Sequence, residues 1–210
     1  MATTTTNYGF DIPQSTDLVK DGATAIATLG QDIDTAMNTA LGTKKAGMVL
    51  LNTTSFSGVA SQAVNSVFSS TYQNYRILIN IASSTGDINA IGMKLRVSTT
   101  DTSTNYNSVR VFSKGATPAS AGEDILGTDE WFIGESDKDQ NGASAIAMDL
   151  FSPNEARSTN FQLSASTSDG EFYCHFICGI QSSSTQFDGF NIINSAGNTT
   201  GTIRVYGYNN

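Results

Sequence analysis

One stretch of the chain, Asp11 to Gly42 (DIPQSTDLVKDGATAIATLGQDIDTAMNTALG), carries apolar residues at a helical period, and everything after Met48 reads as strand and turn. That division limits the fold more than any other feature of the 210 residues. Ile26, Leu29, Ile33, Ala36 and Ala40 fall at three- and four-residue steps, on one stripe of a helix and in the a and d places of a short heptad pattern. Thr28, Gln31, Asp34 and Asn38 take the other side. The expected helix runs from Asp21 to Leu41, about 30 Å at 1.5 Å per residue, with Asp17 or Asp21 capping its first turn and Gly42 releasing its last. A stripe this narrow buries little by itself, and short isolated helices are marginal in water. It calls for copies of itself or for a host surface.

Beyond the linker Thr43–Gly47, ten segments have strand character: Met48–Phe56, Tyr75–Ala82, Ile91–Val97, Ser108–Phe112, Trp131–Ile133, Ala143–Leu150, Phe161–Ala165, Phe172–Ile180, Phe190–Ile193 and Thr202–Tyr208. Gly, Asn, Asp and Ser separate them, and Ser57–Asn74 reads as a loop. No helical period lies between strands, so a parallel βαβ architecture is disfavoured. The expected fold is mainly β: an N-terminal helix followed by an antiparallel, jelly-roll-like β-sandwich. Residues 1–46 form the arm and oligomerisation or attachment helix, and residues 47–210 the sandwich. In Phe172–Ile180 the residues Phe172, Cys174, Phe176, Cys178 and Ile180 share one face and Tyr173, His175 and Ile177 the other. Arg76–Ala82 is similarly two-sided. Apolar residues on both faces point to cover on both sides, by a loop or a neighbouring subunit.

Formal net charge is −8, so phosphate backbones are repelled and nucleic acid is not an expected partner. The opening MATTTTNYGF has no basic head followed by an apolar run, and no window approaches the ~18 apolar residues of a membrane span. A soluble product made in the cytoplasm, with no membrane insertion, is expected. The Thr-rich leader, having nothing to bury, is expected to be loose in isolation.

The run NYGFDIPQSTDLVKDGATAIATLGQDIDTAM resembles the N-terminal segments of tailed-phage tail-fibre and related virion structural proteins, through Tyr8, Gly9, Phe10, Pro13, Thr16, Asp17, Asp21, Gly22, Ala23, Ile26, Leu29 and Asp32. SFSGV, TYQNYRILINI, KLRVS and the closing GTIRVYGY look like the C-terminal domains of such fibres. The resemblance implies a homotrimer on the virion, with its N-terminal part on the particle and its β-domain outward. The heptad stripe alone does not choose between two and three strands. No extended shaft separates helix from β-domain, which makes this a stubby appendage.

Candidate chemistry is sparse. Cys174-His175-Phe176-Ile177-Cys178 holds metal-ligating atoms, but on a strand His175 points away from both thiols. The two cysteines lie about 13 Å apart there, too far for a disulfide, and read as small buried apolar groups. Asp137-Lys138-Asp139-Gln140-Asn141-Gly142 matches the start of a calcium loop, yet Met148 stands where the bidentate Glu belongs, and Asn141-Gly142 also suits a hairpin turn. The lone tryptophan, Trp131, is a glycan-stacking platform if exposed and core if buried. Tyr206 and Tyr208 are read the same way. No catalytic residue, metal or cofactor is expected.

The expectation is a non-enzymatic phage virion protein, a short homotrimeric tail fibre attached at tail or baseplate that contacts a host cell-surface glycan or protein. Ile26, Leu29, Ile33 and Met37 would hold the stem together, and Tyr8, Phe10 and Pro13 would meet other virion proteins. The alternative is a capsid decoration or cement protein clamping neighbouring capsomers; a glycan-cleaving spike is a third reading with no positive sign.

Overall fold

A computed structural model describes residues 3–6, 8–12, 19–41, 47–86, 89–115, 117–138, 144–168 and 172–209. The chain divides into two units, one of Met1–Gly47 with Asn209 and one centred on Met48–Tyr208.

In the first unit, β1 (Thr3–Thr4) pairs antiparallel with β2 (Asp11–Ile12), and α1 spans Val19–Leu41. These two strands form a small hairpin within the leader. The Thr5 N–H donates to the Phe10 carbonyl at 2.9 Å, and the Phe10 N–H donates to Thr5 Oγ1 at 2.9 Å. Gly9 makes the turn at φ +69°, a conformation that costs glycine little. Helix α1 begins two residues before the expected Asp21, which lies in its first turn. Asp17, Gly42 and Pro13 fall outside the described residues.

The second unit is built from β3 (Met48–Val59), β4 (Ser61–Val64), β5 (Asn74–Ser84), β6 (Asn89–Val97), β7 (Thr100–Asp101), β8 (Tyr106–Lys114) and β9 (Thr117–Thr128). It continues with β10 (Trp131–Ser136), β11 (Ser144–Phe151), β12 (Thr159–Ser168), β13 (Phe172–Gln181), β14 (Gly189–Asn194) and β15 (Thr199–Tyr208). One sheet has the order β3-β15-β5-β11-β12-β13-β8-β9, and the other β10-β6-β14-β4 with β7 on β6. Every pairing is antiparallel. The fold is thus mainly β with one N-terminal helix and antiparallel sheets, an arrangement compatible with a jelly-roll-like sandwich of eight and five strands. All ten expected strands are present, most of them longer than their apolar cores. Three further strands of this unit were not expected: β4 lies inside the expected loop Ser57–Asn74, the two-residue β7 pairs with β6, and β9 pairs with β8 despite a largely polar sequence.

Alternation decides which side of each strand is buried. Tyr75, Ile77, Ile79 and Ile81 of β5, Ile146, Met148 and Leu150 of β11, Phe161, Leu163 and Ala165 of β12, and Ile203 and Val205 of β15 all point inward. Ile91, Met93 and Leu95 of β6 and Phe190 and Ile192 of β14 meet them from the other sheet. Fully burying one such side chain contributes about 1.5–3 kcal/mol. Val97, in phase with Leu95 along the strand, is exposed where β6 ends.

Trp131 sits at the centre, fully buried. Its ring meets Tyr106 edge-on at 5.2 Å and lies 4.5 Å from Phe161, while its Nε1–H donates to the Ile180 carbonyl at 3.3 Å. Tyr106 accepts the Leu95 N–H at 2.8 Å and donates to the Thr102 carbonyl at 3.1 Å, so its buried hydroxyl is satisfied twice. Burial pushes the Tyr106 phenol well above its ordinary value. The stacking-platform reading of Trp131 is corrected: a fully enclosed indole offers no face to a sugar.

Candidate functional site

Apolar residues left in solvent are the most informative features of the surface. On α1, Ile26 is 65% exposed, Ile33 40% and Met37 54%, while Leu29 is half-buried. These are the residues expected to make the stem. Near the N-terminus Tyr8, largely exposed, stacks on Phe10 at 5.6 Å with the rings 18° from parallel, forming a small aromatic plate. Pro13, the third expected attachment residue, lies outside the described residues.

On the β-unit the outward face of the eight-stranded sheet is apolar at one end. Phe172 is 74% exposed and Phe176 57%; Phe176 stands opposite Val111 and Cys178 opposite Val109, and both valines are exposed as well. Toward the middle of the same face the side chains become small: Ala145 and Ala147 of β11 beside Ser164 and Ser166 of β12. They floor a shallow trough of about 570 Å³ walled by Leu78, Asn80 and Arg204 on one side and Cys174 on the other. Both faces of β13 carry apolar residues, but the expected cover on both sides is not met: among the described residues only the inner side is covered. Cys174 is exposed and Cys178 partly so, which corrects the expectation of two buried thiols; both are free.

His175 is buried on the inner side, away from the thiols, and neither ring nitrogen has a hydrogen-bond partner. Its Nε2 lies 3.7 Å from Glu135. Among the described residues, no group of three or more His, Cys, Asp or Glu side chains is placed to hold a metal ion. Of the calcium-loop match, only Asp137 and Lys138 are described; Asp139 to Gly142 lie outside the described residues. No helix of the described residues is long and apolar enough to cross a membrane.

A cluster of charged side chains lies at a groove of about 450 Å³ beside β6 and β8. Arg110 bonds Glu123 at 2.6 Å, approaches Glu135 at 3.8 Å, and lies over the rings of Phe112 and Phe132 at 4.9 and 4.6 Å. Lys94 holds Asp129 at 2.9 Å and stands 4.0 Å from Glu130. Burial pushes the Glu130 carboxyl up, partly opposed by the Lys94 charge, and the Lys94 hydrogen bond holds Asp129 below the usual carboxylate range. A glycosidase needs one carboxyl free to donate and another free to attack or to activate water. Here each carboxylate has a cation near it, an arrangement suited to tying strand ends together.

Sequence reasoning found the helix stripe and the apolar strands. It missed the charged groove, whose Arg110, Glu123 and Glu135, together with the Lys94 that bonds Asp129, come from four strands with no shared spacing. What the fold defines is a class: a mainly-β antiparallel chain with an N-terminal helix whose apolar stripe faces solvent. Compared with protein families, curated proteins and solved structures, the chain matches none of them.

Proposed function

We propose that this chain is a structural protein of a bacteriophage virion, a short homotrimeric fibre seated on tail or baseplate whose β-unit contacts the host surface. The observation that carries the reading is the solvent-exposed stripe of Ile26, Ile33 and Met37. Leaving three large apolar side chains in water on one helix face gives up burial worth about 25 cal/mol per Å², and a bundle of identical helices recovers it through knobs-into-holes packing. The Tyr8–Phe10 plate is suited to docking on another virion protein. The role is assembly and attachment, with no catalytic step and no cofactor.

Mass spectrometry of heads and tails separated from the phage particle tests the placement. Recovery in the tail fraction supports the fibre. Recovery in heads alone replaces it with a capsid-decorating trimer, and absence from both removes the virion reading. Release of reducing sugar from host polysaccharide by the purified protein would instead make it a glycan-cleaving spike.

A further inference from the structure

A polar cleft lies at one end of the β-unit. It has a volume of about 440 Å³ and is formed by three chain segments, carrying Ser70, Tyr72 and Gln73 on the first, Asn154 and Glu155 on the second, and Gln186 on the third. That volume lies within the range of small-molecule sites, about 300–1,000 Å³. We propose that this cleft is a binding site for a neutral saccharide, with the Tyr72 ring as the stacking wall and the side-chain amides as the hydroxyl readers. The proposal goes beyond the fibre reading and stands on the cleft alone.

The site is built, not a gap between floppy loops. The Tyr75 hydroxyl donates to the Ser69 carbonyl at 2.9 Å and accepts the Ser69 N–H at 2.7 Å, anchoring the first segment from the buried core. The Ser152 N–H donates to the Gln73 carbonyl at 2.9 Å, joining the first segment to the second. Between the second and third, the Phe187 N–H donates to the Pro153 carbonyl at 2.8 Å, Asn154 Nδ2 to the Phe187 carbonyl at 2.8 Å, and Gln186 Nε2 to the Asn154 carbonyl at 3.1 Å. The Tyr72 ring rests against the backbone of Gly207, where a Cβ would come within 2.5 Å of the ring. A wall and frame already fixed lose little entropy when a ligand arrives.

Chemistry selects the ligand class. Among the described residues the Tyr72 hydroxyl, the Gln73 amide, the Asn154 Oδ1 and the Gln186 Oε1 make no hydrogen bond. Amides and phenols both donate and accept, which matches hydroxyl groups that do the same. Among the described residues that line the cleft the one charge is Glu155, which is bonded to Arg157 at 2.6 Å. The cleft therefore has no unpaired charge to attract a phosphate, a carboxylate or an ammonium group. One aromatic wall beside several neutral hydrogen-bonding groups fits a ligand with an apolar C–H face and a polar rim, which is a sugar ring.

Saturation-transfer NMR on the full chain, with glucose, galactose, mannose, N-acetylglucosamine, lactose and maltose as probes, tests this. At least one sugar is expected to show transfer to its ring protons, to lose it in Tyr72→Ala, and to bind about tenfold more weakly to Gln186→Ala. Phe176→Ser, on the outer sheet face, is expected to leave binding unchanged. Gln186 is exposed, so that variant decides the matter even if Tyr72→Ala fails to fold. The proposal is overturned by no transfer to any of the six sugars, by transfer that survives Gln186→Ala undiminished, or by glucuronate binding more tightly than every neutral sugar. None of these outcomes bears on oligomeric state, so the fibre reading stands or falls separately.

Discussion

Helix α1 leaves Ile26, Ile33 and Met37 in solvent, whereas the β-unit holds Trp131, Tyr106, Phe190 and a dozen or more aliphatic side chains away from water. The β-unit closes its own core between two sheets, while the helix carries exposed apolar side chains along one stripe. A residue that is buried within one chain supports that chain's stability, and one that is apolar but uncovered supports association instead. Strand β13 repeats the contrast within ten residues: Ile177 is buried against the core while its neighbour Phe176 stands in solvent.

The largest expected effect lies at the centre of the core. Trp131→Ala removes the ring that Tyr106 and Phe161 pack against and the hydrogen bond to the Ile180 carbonyl, and a loss of about 3–5 kcal/mol is expected in denaturant unfolding. A loss below about 1 kcal/mol would mean the two-sheet core is not where the stability resides.

Next comes the pair on β13. Ile177→Ala is expected to cost about 2–5 kcal/mol, against less than about 0.5 kcal/mol for Phe176→Ser. Equal costs in a concentration-dependent thermal melt would show that a partner covers the outer face tightly enough to count as core. Tyr106→Phe tests a polar detail of the same interior. It strands the buried Leu95 N–H, so a loss of about 1–3 kcal/mol is expected, read as a lower midpoint at unchanged slope.

The smallest effect concerns pH. Because burial raises the Glu130 carboxyl above its ordinary 4.5, the folded chain holds that proton more tightly than the unfolded chain does. Its contribution to stability is complete below pH 4.5 and declines as pH rises through the raised folded value. Asp129, held below 3.8 by Lys94, runs the other way, losing its contribution as pH falls through its depressed value. Glu130→Gln is therefore expected to match wild type at low pH and to gain on it as pH climbs above 4.5. A difference between the two proteins that does not change with pH would show that burial leaves Glu130 untouched.

The strand cores were legible because alternation in segments such as Ile91–Leu95 carries the inside and outside of the sheet directly. Strand β9, TPASAGEDILGT, was not, since an edge strand can be polar throughout and is held by its ladder to β8. Trp131 and the two cysteines show a different limit. Periodicity assigns a residue to a face, but only the packing of the second sheet decides whether that face is covered. The Tyr72 cleft had no signal in the sequence, because its side chains come from three separate segments, carrying Tyr72, Asn154 and Gln186, that only the closed sandwich brings together.

Sedimentation or light scattering on the intact chain, with and without Ile26→Asp plus Ile33→Asp, bears most directly on the role given to the helix. Three chain masses are expected for the wild type and a single chain mass for the double variant, because an aspartate in that seam must stay hydrated. The β-unit should melt at the same temperature in both. A wild-type protein that runs as one chain, or a variant that remains three, would contradict the assignment of the exposed stripe to self-assembly.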